Sequence, residues 1–198
     1  PLFDGIIGEG IAAQQVTPFN WVGSLVYWEG LDGYWAKVDE PLSFSFNPPT
    51  FARVDDEIAE VERFPAGFEY NQSTEQAFYF VEELSVPQLT NEVWLMAYCS
   101  ETLVGAREWQ GAYTDIPAMG DDGSSETAGY CVEGEIPVVK AYFENSGEII
   151  ELTGNISDWN SNELITVTNL SSIPEIPVQY ALHPAYPNPF NPQTTISY

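Results

Sequence analysis

Thirty Asp and Glu residues stand against five Lys and Arg, so carboxylate spacing is the first place to look for chemistry. The tightest group in a turn is Asp121, Asp122 and Glu126 around Gly123, with Asp115 upstream. Hard oxygen ligands crowded around a Gly turn suit Ca2+, so Asp115, Asp121, Asp122 and Glu126 form the candidate metal set. Their spacing is not that of an EF-hand, and a solvated turn stabilised by its own Asp and Gly would read the same way. The run Asp55, Asp56, Glu57, Glu60 and Glu62 reads as a charged face. Trp28, Trp35 and Trp109 are candidates for stacking sugar rings, against the plainer reading that aromatics on alternating strands fill a core. Arg107, within VGAREW, suits a bidentate carboxylate pair or the capping of backbone carbonyls that hold a turn. Catalysis is poorly served. The only His, His183, precedes a proline, and no GxSxG, HExxH or phosphate-binding glycine loop is present. The chain does not read as an enzyme, and no organic cofactor is expected.

The net charge of −25 bounds the partners. Such a field repels phosphate backbones and anionic lipid. Cations, neutral polymers and further copies of the same chain, once screened, are the compatible classes. No apolar run reaches the ~18 residues of a membrane-spanning helix, so no membrane insertion is expected. Aromatics at 14% set the chain apart from a disordered acidic tail.

The elements that must position these residues read as strands. Short runs rich in aromatic and β-branched residues occur at 22–28, 42–46, 77–81, 93–99, 103–109, 137–143, 148–152 and 164–168. Gly, Pro, Asn and Asp separate them, which argues for antiparallel sandwiches rather than βαβ units. Only residues 55–63 carry a helical spacing, and they read equally as a strand or loop. The expected fold is all-β: an antiparallel β-sandwich module at 65–171, preceded by a small β-rich module at 1–64. A Pro-rich connector follows at 172–192, and 193–198 begins one more strand. Extended segments are expected at both ends, since Leu2 to Ile11 shows no hairpin partner nearby. Beginning at Pro1, the chain is expected to be a processed or trimmed piece of a longer precursor.

Residues 183–198, HPAYPNPFNPQTTISY, resemble the opening of the C-terminal sorting domain of type IX secretion substrates. The resemblance covers 16 residues, the opening of that domain. The body, through IGEGIAAQQ, WVGSL, GYWAKV, YNQSTEQAFYF and DIPAMGDDG, is similar to modules recurring in large secreted proteins with this sorting domain. The resemblance implies export across the outer membrane, to the medium or the cell surface. It implies no chemistry. In an extracellular setting Cys99 and Cys131 are expected to form a disulfide rather than stay free thiols. That bond would close a loop of about 33 residues and stabilise by roughly 3–4 kcal/mol.

Two functions follow as expectations. The first is an extracellular structural protein, a fibre or surface-layer subunit. It would assemble head-to-tail by adding the strand Thr194, Thr195, Ile196, Ser197 and Tyr198 to a neighbour's sheet edge, with calcium neutralising its acidic faces. The alternative is a monomeric carbohydrate-binding or adhesion module of a larger surface protein, holding a polysaccharide.

Overall fold

A computed structural model describes residues 3–29, 32–45, 64–86 and 92–172. The helical candidate at 55–63, the connector and the strand Thr194–Tyr198 lie outside the described residues. Among those described there is no α-helix, and thirteen strands form three sheets. The protein is all-β, in a sandwich-like arrangement.

The first sheet contains β1 (Gly5–Ile7), β2 (Ala12–Thr17), β3 (Asn20–Val22) and β4 (Trp35–Lys37), in the order β3-β2-β1-β4. Here the structure departs from the expected free N-terminal segment. Gly5–Ile7 pairs antiparallel with β2 on one side and β4 on the other, so both backbone edges of this segment are used. The partner that sequence reading missed is β2, reached through the turn in which the Gly8 amide donates to the Ile11 carbonyl at 2.8 Å.

The larger sheet joins β6 (Leu84–Ser85), β7 (Val93–Cys99), β8 (Thr102–Glu108), β10 (Val138–Phe143), β11 (Glu148–Gly154) and β13 (Leu170–Ser172). Its order is β6-β13-β11-β10-β7-β8. A three-stranded sheet of β12 (Leu164–Val167), β5 (Gln76–Val81) and β9 (Thr114–Met119) faces it. Most pairings are antiparallel, but β12 runs parallel to β5, and β13 parallel to β6. The reason lies at one corner: β5 to β6 and β12 to β13 both pass from the small sheet to the large one, side by side. Bonds from Glu82 N to Val167 O and from Leu170 N to Glu83 O, both 2.9 Å, carry the ladder across that corner.

Alternation along β5 organises the layers. Ala77, Tyr79 and Val81 point into the main core with Leu95, Ala97, Val139 and Ala141 of the large sheet. Phe78 and Phe80 point the other way and pack with Ile7, Ala12 and Leu164. The three-stranded sheet is thus buried on both faces, which is why β5 reads as the continuous apolar run AFYFV rather than an alternating one. The same logic explains VWLMAYC in β7. Its outer residues Trp94 and Met96 are covered by Phe64, Phe68 and Tyr70, so the segment preceding the sandwich roofs the large sheet.

Two glycines mark where layers touch. A Cβ on Gly105 would lie 1.7 Å from the Pro117 carbonyl oxygen, so β8 and β9 approach as closely as they do only because that side chain is missing. Gly23, at φ 114°, ends β3: a Cβ there would lie 2.3 Å from the Ala12 carbonyl oxygen. The run 22–28 is therefore no strand beyond Val22. It leaves the sheet as a loop, which builds the candidate site.

Cys99, closing β7, is bonded to Cys131, with Cα atoms 5.2 Å apart and both residues about 1% exposed.

Candidate functional site

Beyond Gly23, the Leu25 amide donates to the Ala12 carbonyl at 2.9 Å and ties the departing chain to β2. Val26, Tyr27 and Trp28 then stand out from the sheet at 71%, 78% and 41% exposure. With Ile6, Ala13 and Trp21 they line a groove of about 400 Å3. Trp28 is braced from two sides. Its ring centroid lies 4.7 Å from that of Tyr34 and 6.4 Å from that of Phe3, and Phe3 in turn meets Phe44 edge-on at 5.2 Å. The Tyr34 hydroxyl accepts from the Glu29 amide at 2.8 Å, fixing the loop that carries Trp28. Large aromatic faces left in water, yet held at set angles, are suited to receiving a flat apolar surface.

The three tryptophans singled out in the sequence do not make one platform. Trp35 pairs with Ile7 and Ala36 with Ile6. Facing partners in a ladder share a face of the sheet, so Trp35 lies on the Ile7 side and not on the Ile6 side that lines the groove. Trp109 follows β8, is half-buried against the main core, and its amide donates to the Val93 carbonyl at 2.8 Å. Only Trp28 belongs to the groove. Its partner there is Trp21, which sequence reading passed over; the usable signal was Gly23-Ser24 breaking an otherwise aromatic stretch.

A second cavity, about 500 Å3, lies on the other side of Val26, with Arg107, Asp115, Ser24 and Thr114 among its lining residues. Arg107 is 5% exposed and Asp115 is 2% exposed. The guanidinium donates from Nε to the Asp115 carbonyl at 3.0 Å and from Nη2 to the Gly10 carbonyl at 2.8 Å. Nη2 also lies 3.3 Å from Ser24 Oγ and 3.4 Å from Asp115 Oδ2. The Ser24 hydroxyl donates to Asp115 Oδ2 at 2.6 Å. Arg107 thus caps backbone carbonyls, one of the two roles expected of it, and meets the Asp115 carboxylate through Nη2, and in doing so it joins the first sheet to the sandwich. Burial pushes the Asp115 carboxyl above its ordinary value, although Arg107 and Ser24 pull it down. Gln76 makes a parallel link, donating to the Gly8 carbonyl at 2.9 Å and accepting from the Gly10 amide at 3.2 Å.

Asp115, expected with the acidic turn as a metal ligand, is therefore placed in the interior on β9 and engaged with Arg107 and Ser24. The other three residues stay in the turn, which is closed by its own bonds. Asp121 Oδ1 accepts from the Gly123 amide at 2.8 Å. Asp122 Oδ1 accepts from the Ser124 amide at 3.0 Å and the Thr127 hydroxyl at 2.6 Å. Those bonds, Thr127's first, hold the Asp122 carboxyl well below the usual range. Glu126 contributes its backbone carbonyl, which accepts from Asn71 Nδ2 at 3.0 Å. Among the described residues, no three His, Cys, Asp or Glu side chains gather closely enough to hold a metal ion.

Comparison with protein-family models, curated proteins and solved structures finds nothing that matches this chain. Function must be read from the site itself.

Proposed function

We propose that this is a secreted, non-catalytic binding module that holds a neutral polysaccharide in the Trp21–Trp28 groove. The observation that carries the reading is the braced indole of Trp28 beside Trp21 and Tyr27, exposed in a concave surface and fixed by Tyr34 and Phe3. Sugar rings present C–H faces that stack on such surfaces, while their hydroxyls stay in water or find polar neighbours. The charge of −25 narrows the ligand to an uncharged polymer, because sulfated or carboxylated chains would be repelled. Export follows from the resemblance of residues 183–198 to a sorting signal, and the Cys99–Cys131 bond is at home outside the cell.

The fibre reading loses one of its ingredients, because the N-terminal strand is already paired on both sides within its own chain. Its other ingredient, Thr194–Tyr198, lies outside the described residues. The binding reading is the better supported.

A glycan array probed with the protein, with Trp28→Ala and with Trp21→Ala tests it. Retention of one group of neutral glycans by the parent, and its loss in both variants, is the expected pattern. Equal signals from parent and variants, or binding to acidic glycans alone, would refute it.

A further inference from the structure

Building on the glycan reading, we infer that the binding site does not end at the aromatic groove. It continues past Val26 into the Arg107–Asp115 cavity, forming one trough for an extended neutral glycan chain. Val26 lines both cavities, so they abut at a single side chain, one that is 71% exposed. Both halves share the segment 23–28, tied down by Leu25 to Ala12 and by Ser24 to Asp115.

The halves differ in chemistry in the way a sugar chain can use. The groove offers ring faces. The cavity of about 500 Å3 offers the exposed Gln110, beside Ser24 and Thr114, whose hydroxyls already donate to Asp115 and to the Gly111 carbonyl, with the Arg107–Asp115 pair at its base. Because Asp115 balances the guanidinium, the buried pair adds no net charge to the cavity, which favours hydroxyls over carboxylates or sulfates. Gln110 carries a donor and an acceptor on one amide, matched to a vicinal hydroxyl pair. A chain anchored by one ring on Trp28 would lay its following units into this polar half.

The test is a calorimetric titration with one neutral oligosaccharide series, from disaccharide to hexasaccharide, on the parent, Ala112→Trp and Gln110→Ala. Ala112 and Gln110 are exposed, line only the polar cavity and make no contribution to the aromatic groove. The parent is expected to gain about tenfold in affinity between short and long ligands, equivalent to about 1.4 kcal/mol. Ala112→Trp fills the cavity and should abolish that gain while leaving disaccharide affinity unchanged; Gln110→Ala should lose roughly half of it on the free-energy scale. Short ligands that bind without any gain on lengthening would overturn the continuous trough and leave the groove standing. So would variants that weaken short and long ligands alike. Absence of binding at every length would overturn both the trough and the glycan reading on which it rests.

Discussion

Replacing Arg107 by Met keeps much of the aliphatic bulk and removes the charge and its donors. The side chain is 5% exposed and bonds to the Asp115 carbonyl, the Gly10 carbonyl and Ser24, besides pairing with the Asp115 carboxylate. Its loss strands a buried carboxylate with Ser24 as its remaining partner in this cluster and leaves the Gly10 carbonyl without the guanidinium. Breaking a buried pair from one side costs about 3–5 kcal/mol. For a chain of this size 1 kcal/mol moves the melting temperature by about 2–4 °C, so a cost of about 4 kcal/mol lowers it by about 8–16 °C. Thermal unfolding followed by circular dichroism measures this directly. Arg107→Lys should fall between, since a single ammonium cannot bond Gly10 and the Asp115 carbonyl with the same fork. The double variant Arg107→Met, Asp115→Leu should recover part of the loss, because it removes the stranded charge. A melting temperature for Arg107→Met within about 2 °C of the parent would mean that the cluster does not join the layers.

Other expectations concern the disulfide, pH and cations. Changing both Cys99 and Cys131 to Ala should cost about 3.5 kcal/mol from loop entropy over their separation of 32 residues, read by urea denaturation, whereas mild reductant should leave the native bond intact because both sulfurs are buried. Asp115 binds its proton more tightly folded than unfolded, so its contribution to stability grows as pH falls from its raised native value toward the ordinary value of about 3.9. Relief of self-repulsion among the acids acts in the same direction. The melting temperature should therefore rise as pH falls from neutral toward the ordinary carboxylate range, less steeply in Asp115→Asn; a maximum at neutral pH or above would contradict this. Asp122, whose carboxyl is depressed, contributes stability that is lost only on further acidification, below the ordinary carboxylate range. Millimolar calcium, or chelator, should change the melting temperature by no more than a degree or so at matched ionic strength, since Asp121 and Asp122 already accept bonds within the turn.

Much of the sandwich was legible because its strands obey local rules. β5, β7, β8, β10 and β11 are short, apolar and bounded by turn residues, and they occur within a residue or two of where the sequence places them. β9 was hidden by Pro117, which sits on the edge of its sheet where a missing amide is tolerated. β1 and β2 were missed because Gly and Gln weaken their alternation, and their pairing is fixed by burial of Ile7 and Ala12 against Phe78 and Phe80. The run 22–28 alternates like a strand, but the positive φ of Gly23 turns it away, a backbone fact that the side-chain pattern does not carry. The disulfide was readable from two cysteines and an inferred compartment. The groove was not, because Phe3, Trp21, Trp28 and Tyr34 meet only once β1–β4 close into a sheet. Asp115 shows the same limit: proximity in sequence to an acidic turn said nothing about Arg107, eight residues before it and across a strand crossing.

Trp28 and its neighbours are proposed to hold a neutral glycan. A titration of intrinsic tryptophan fluorescence with a soluble neutral polysaccharide, beside a sulfated chain of similar length, addresses it most directly. The expected result is a saturable change with the neutral polymer, none with the sulfated one, and at least tenfold weaker binding for Trp28→Ala in a protein that melts like its parent, roughly 1.4 kcal/mol or more. Preference for the sulfated polymer, or a Trp28→Ala variant with unchanged binding, would contradict it.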